Sequence, residues 1–268
     1  MERTIIRGVV GICIAAGLAV TGYAQGVYWE STRSGGRMGE KVAVEKMYYM
    51  PKKFKMESSD EAQAMILRLD KELMTSIETK EKTYWEMTFA EMGGMMKKAG
   101  SKMDAQVAEM QKEMEGMPEE QRKMMEGMMK DRMPGKKEEG SKIEVTKAGE
   151  RKTISGYSCT KFTLTRDGKE LLAVWASKEV KEFDTIRKDF EEFQKRMMEM
   201  NPMMPKGLAD GMRKIEGFPV ETDMPGGMKQ VVTKIEKRSI SAGEFEVPAG
   251  YSKVKPPMMG DEQEKKVE

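Results

Sequence analysis

The chain has 268 residues, and its 47 Lys and Arg nearly cancel its 45 Asp and Glu, leaving a formal charge of +2. The two signs are interleaved along the sequence, so there is no basic stripe for nucleic acid and no polybasic patch for a membrane surface. Histidine is absent, which removes the commonest general base, the commonest zinc ligand and the usual switch near neutral pH.

The chain opens with the layout of a secretory signal peptide. Two arginines precede an apolar run at Gly8–Val20, and Gly22-Tyr23-Ala24 offers small residues before a cut. The run is too short to cross a hydrocarbon core of roughly 30 Å. We expect residues 1–24 to be removed near Ala24–Gln25, giving a periplasmic or secreted chain with no transmembrane span. Cys13 leaves with the signal, so the mature chain keeps Cys159 alone, and strand-like neighbours predict a buried, inert thiol.

From residue 27 to 89 the pattern is a β meander. Val42, Val44, Tyr48 and Met50 alternate with Glu45, which predicts a strand with those four on its inner side. Gln63–Leu69 places Met65, Leu67 and Leu69 inward and Arg68 outward. A turn at Asp70-Lys71 leads into Leu73–Ile77, and another at Thr79–Glu81 into Thr83–Phe89, where Trp85, Met87 and Phe89 share a face. Short loops between alternating runs predict antiparallel neighbours. Gly35, Gly36 and Gly39 read as a hairpin loop rather than a phosphate-binding turn.

Near Ala90 the β-branched residues almost vanish, and Met, Lys, Glu, Gln and Ala take over through Arg132. Those are helix formers, and Gly116-Met117-Pro118 divides the insert in two. Strands resume at Lys142–Lys147, then at Tyr157–Thr165 and Glu170–Ala176 around Asp167-Gly168, a strong hairpin signal. Leu171 and Trp175 are expected on one face. Phe183, Ile186, Phe190 and Phe193 recur by three and four within a second helical insert, residues 181–214, with a short helical turn in Pro205–Lys214. Strands return at Phe218–Glu221, Met228–Ile240 and Phe245–Val247. Residues 252–268 read as a polar, disordered tail.

Met96, Met103, Met110, Met117 and Met124 recur every seventh position, with Met92, Met114 and Met128 each four residues from one of them, on one side of the first insert. Three readings compete. The stripe is a packing face, or a mobile lid over a greasy ligand, since methionine fills irregular space. Alternatively it is a soft-metal site for Cu(I) or Ag(I), with Met124, Met125, Met128 and Met129 as thioether donors. Oxidant scavenging is a residual fourth.

Catalytic signatures are missing: there is no Gly-x-Ser-x-Gly elbow, no phosphate-binding loop and no His-Glu-x-x-His. Carboxylates sit beside lysines in charge runs, so no pair stands apart as acid and base.

Several stretches are familiar together. They are Ile66–Leu73 (ILRLDKEL) with Lys82–Trp85 (KTYW), and Ile154–Phe162 (ISGYSCTKF) followed by Trp175. Gly217–Val220 (GFPV), Phe245–Tyr251 (FEVPAGY) and the Met-rich Pro118–Met125 (PEEQRKMM) complete the set. In that order they resemble an exported bacterial family known as a domain of unknown function, DUF4412. The resemblance extends distantly to the periplasmic lipoprotein-carrier (LolA-like) fold, a half-barrel of antiparallel strands whose concave face holds acyl chains under helices. It implies a lipid or other apolar ligand, and it carries over no catalytic residue.

The expectation is therefore an α+β chain: a strongly curved antiparallel sheet, residues 25–251, with helical inserts at about 90–132 and 181–214 covering its concave face. The inner wall is expected to hold Met65, Leu67, Leu69, Trp85, Phe89, Leu171, Trp175, Val231 and Ile235, with Met96, Met103 and Met110 above it. The expected partner is a hydrophobic small molecule or lipid, with peripheral envelope contact, no nucleic acid, no cofactor and no metal. Two other classes stay open: a Met-rich Cu(I)- or Ag(I)-handling protein, and a structural or stress-related envelope protein. No enzymatic activity is expected.

Overall fold

The computed structural model describes residues 23–36, 39, 41–60, 62–115, 118–119, 142–200 and 207–256. The expected signal cleavage lies at its first strand, and the second half of the Met-rich insert, with Met117, Met124, Met125, Met128 and Met129, lies outside the described residues.

The meander predicted from alternation is present as β1 (Tyr23–Ser34), β2 (Val42–Met50), β3 (Lys53–Ser58), β4 (Gln63–Arg68), β5 (Leu73–Glu78) and β6 (Thr83–Thr88). Helix α1 (Phe89–Glu115) follows without a loop. Its start is a capping box: the Glu91 amide donates to Thr88 Oγ1 at 3.2 Å, and the Thr88 amide donates back to Glu91 Oε2 at 2.8 Å. Then come β7 (Ile143–Ile154), β8 (Tyr157–Arg166), β9 (Lys169–Ser177), α2 (Phe183–Met200), α3 (Leu208–Arg213), β10 (Phe218–Met224), β11 (Met228–Ser241) and β12 (Ser252–Lys253). Positive φ at both Asp167 and Gly168 closes the β8–β9 hairpin as predicted. Among the described residues no helix is long and apolar enough to cross a membrane.

The strands form one open sheet of twelve, in the order β12-β6-β5-β4-β3-β2-β1-β11-β10-β9-β8-β7. Every neighbouring pair is antiparallel except β12 with β6, which makes the sheet mixed. The fold is thus α+β, a large open sheet with a few helices. The β7–β8 hairpin bends back far enough for Ser155 Oγ, at its tip, to donate to the Val232 carbonyl of β11 at 2.6 Å.

Two side-chain rows run across one face. Val27, Tyr49, Phe54, Leu67, Met74 and Met87 are successive cross-strand partners from β1 to β6, and all belong to the main core. The adjacent row is Ile235, Trp29, Met47, Met56, Met65, Ser76 and Trp85. Phe89 and Met92 of α1 and Ile186 of α2 close over this core, which continues through Phe218, Val220 and Val232. Each large side chain buried this way contributes about 1.5–3 kcal/mol. A second cluster (Met50, Ala64, Ile66, Ile77, Ile240 and Phe245) lies on the other face, and a third (Ile143, Phe162, Leu164, Val174 and Ile215) joins β7–β9 to α3.

Four expectations change. The inner side of β2 is Ala43, Glu45, Met47 and Tyr49; Glu45 is buried and Val42 is exposed. Alternation was legible there, but both faces of β2 are partly covered, so apolarity did not identify the main core. Phe245–Val247 is not a strand: Ala242–Phe245 is a 3-10 turn that drives Phe245 into the second cluster. The polar stretch from residue 252 begins as β12; the Ser252 amide, and the Val254 amide just past the strand, donate to the Lys82 and Tyr84 carbonyls. Leu171 and Trp175 enter different clusters, because Leu171 is skipped where the β8–β9 register shifts at Leu164/Thr165.

Candidate functional site

The main core is incomplete between β1–β3, β10–β11 and α2. A cavity of about 270 Å³ remains there. Its sheet side is Trp29, Met47, Phe54, Met56 and Val232, its roof is Phe183, Ile186 and Phe190 of α2, and Met212, Ile215, Phe218 and Val220 close the end toward α3. Phe218 stands at the junction. Its ring meets Trp29 edge-on at 5.9 Å and Phe183 edge-on at 5.5 Å, the arrangement aromatic quadrupoles favour. Val220 is the residue skipped between the Pro219 and Glu221 pairings with β9, so a bulge holds this fully buried side chain at the cavity wall.

Gly217 turns the chain from α3 into β10 with φ of 109°. A Cβ there would sit 2.5 Å from the Ser177 carbonyl oxygen, so both conformation and space require glycine.

Polar groups collect at one end. Glu45, buried on β2, accepts from Gln230 Nε2 at 2.8 Å and from Ser31 Oγ at 3.4 Å, and its other oxygen lies 3.3 Å from Arg33 Nε. Glu45, Gln230 and Thr222 all line the cavity. Arg187, Glu191 and Arg213 form its rim beside the exposed Phe190 ring, 44% accessible.

The roof is fixed by one buried carboxylate. Asp189 of α2 accepts from the Tyr49 hydroxyl at 3.0 Å and from the Lys52 amide at 2.6 Å, and the Lys52 ammonium lies 3.3 Å away. Burial and the bond to Asp189 push the Tyr49 hydroxyl well above the ordinary tyrosine range. Lys52 also pairs with Glu192, and Arg196 bridges Glu192 and Glu72. Cys159 is fully buried and free, and burial pushes its thiol up.

Glu216 sits just before Gly217. Lys178 at 2.6 Å and Lys147 at 3.1 Å hold its carboxyl down, from the ordinary 4.5 to about 2. A depressed carboxylate adds stability that is fully present above 4.5 and is lost as pH falls toward 2. Thermal melts of Glu216→Gln are therefore expected to fall below wild type at pH 7 and to converge with it near pH 2. A constant gap across that window would remove the linkage.

None of the described residues expected in the ligand site lines this cavity. Leu67, Leu69, Phe89 and Trp175 are buried in the main core; Trp85, Ile235, Val231 and Met96 pack partly against it. Leu171 joins the third cluster, Met110 is half-buried, and the Met103 side chain lies outside the description. Met65 is 39% exposed, beside Met56 on the cavity row. The displacement is small: Phe54 partners Leu67, Trp29 partners Ile235, and Val232 replaces Val231. That last exchange follows from a bulge, since Glu30 pairs with Lys234 but Ser31 with Val232, which inverts the alternation between Ile235 and Val231. The roof was the legible part, because Phe183, Ile186 and Phe190 are the aromatic and aliphatic stripe already evident in the second insert.

The fold and cavity together define an α+β chain in which an open sheet and a helix enclose an apolar space with one polar end. The chain belongs to the family described as Domain of unknown function (DUF4412), whose model matches residues 86–251. No curated protein matches it. Among solved structures it is similar to PNGF-II in the C2 space group, with TM-score 0.37 and 9% identity over 87% of this chain and 31% of that one. The P21 form of PNGF-II gives TM-score 0.36 and 8% identity over 87% of this chain and 32% of that one. The chain thus spans about a third of the length of those proteins.

Proposed function

We propose that this is a non-enzymatic exported binding protein that holds a lipid or other hydrophobic ligand between its sheet and its helices. The observation that carries the reading is the cavity of about 270 Å³, walled by Trp29, Met47, Phe54 and Met56 below and by Phe183, Ile186 and Phe190 above. Apolar area withdrawn from water there would contribute about 25 cal/mol per Å². Met92, Met95 and Met96 of α1 pack on the same core and supply adaptable surface beside the roof. The ligand class agrees with that implied by the resemblance to the lipoprotein-carrier fold.

Native mass spectrometry of the chain purified from its own envelope tests the reading. A bound mass matching an apolar metabolite is expected, and Ile186→Trp, which fills the cavity from its roof, is expected to lose it. Overpacking of this kind costs about 1–3 kcal/mol, so the variant should remain folded. A wild-type spectrum of bare chain, or the same adduct on folded Ile186→Trp, would defeat the proposal.

A further inference from the structure

The polar end of the cavity restricts what the head of a ligand can be. Glu45 is an acceptor-only carboxylate with about four lone-pair positions, of which the structure occupies a part through Gln230, Ser31 and Arg33. The Gln230 amide nitrogen is committed twice, to Ser31 Oγ at 3.2 Å and to Glu45 at 2.8 Å, which leaves its carbonyl oxygen as the group it can still offer. What remains at this end is therefore acceptor-rich, with the Thr222 hydroxyl beside it.

Charge points the same way. The Arg33 guanidinium is shared between Glu45 and Asp60, each at 3.3 Å, so two carboxylates face one cation. At the rim, Arg187 is paired with Asp184 and Glu191, and Arg213 with Asp210. An anionic head would meet a carboxylate inside and neutralised guanidiniums outside. The cavity is also small, just below the roughly 300–1,000 Å³ usual for small-molecule sites.

Resting on the apolar-ligand reading above, we propose that the cavity takes a single-tailed amphiphile whose head is a non-anionic hydrogen-bond donor, an amine or hydroxyl, seated against Glu45, Gln230 and Thr222. The buried carboxylate selects the head, and the aromatic walls accept the tail.

The test is titration of the exported chain with decylamine and, separately, with decanoate at pH 7.5, followed by calorimetry and tryptophan fluorescence. Decylamine is expected to bind at least about tenfold more tightly, against the slight excess of Lys and Arg over Asp and Glu in the chain. Glu45→Gln is expected to bring the ratio below about threefold while both tails still bind. Should that variant fail to fold, Thr222→Val serves instead, with decylamine weakened and decanoate unchanged. Wild-type affinities that are equal or favour decanoate overturn the head-group proposal, as does an unaltered ratio in folded Glu45→Gln. If both probes bind equally and Ile186→Trp abolishes both, the apolar-ligand reading survives and only the head-group proposal fails. If neither probe binds, both fall.

Discussion

Phe218→Ala is expected to destabilise the fold by about 3–5 kcal/mol, the range for deleting a buried aromatic side chain. Three features place it high in that range. The ring is 5% exposed, it contacts both Trp29 and Phe183 edge-on, and it joins the β10 wall to the helical roof. A cavity already adjoins it, so the neighbours that would have to collapse inward are themselves incompletely packed. The void left by the ring would merge with the existing space instead of closing. In urea the midpoint should drop without a change in slope, and the melting temperature should fall on the order of 10 °C. Phe218→Leu, which keeps most of the volume, should cost less than about 1.5 kcal/mol. An alanine cost under about 1 kcal/mol would mean that the ring is not part of the bridge between sheet and roof.

The contrast between this position and the expected wall residues shows what a linear sequence encodes. Alternation marks strands well, because the side-chain period of two is a property of the backbone itself. β4, β5 and β6 were legible for that reason, although β3 was passed over, Met65 is 39% exposed and Arg68, expected outward, is buried on the opposite face. Alternation does not carry register through a bulge. Thr233, Val220 and Leu171 each shift the pairing by one, and Val231, Trp175 and Leu171 were assigned faces on the assumption that no shift occurs. Glu45 was legible only as a charge opposite an apolar run. Its burial depends on Gln230, Ser31 and Arg33, of which Gln230 is brought in by a strand 185 positions away. Helix α2 was the reverse case: a stripe spaced by three and four needs no register, and it named Phe183, Ile186 and Phe190 before the sheet beneath them was known.

Asp189→Ala is expected to release that helix. The carboxylate is 7% exposed and satisfies two donors from the β2–β3 hairpin, the Tyr49 hydroxyl and the Lys52 amide. The Lys52 amide belongs to a turn residue with φ of 64°, so its direction is fixed by the hairpin and it has little freedom to find another acceptor. Removing the acceptor leaves the Lys52 amide unpaired, at about 1–3 kcal/mol for a donor that cannot reach water, and leaves the Tyr49 hydroxyl only the Thr185 carbonyl at 3.3 Å. A loss of about 2–3 kcal/mol follows, since the 45% exposed Lys52 ammonium contributes little by comparison. Because α2 bears the cavity roof on the same turns, the loss should be local before it is global. Amide exchange over residues 183–193 should accelerate by roughly 30- to 150-fold, the equivalent of that free energy, while β4 to β6 change much less. Tyr49→Phe removes one of the bonds and should cost about 1 kcal/mol. The double variant should cost less than the sum, because the hydroxyl and the carboxylate act through one contact. Strictly additive losses, or exchange that rises evenly across sheet and helix, would mean that Asp189 stabilises the fold at large and does not hold the roof in place.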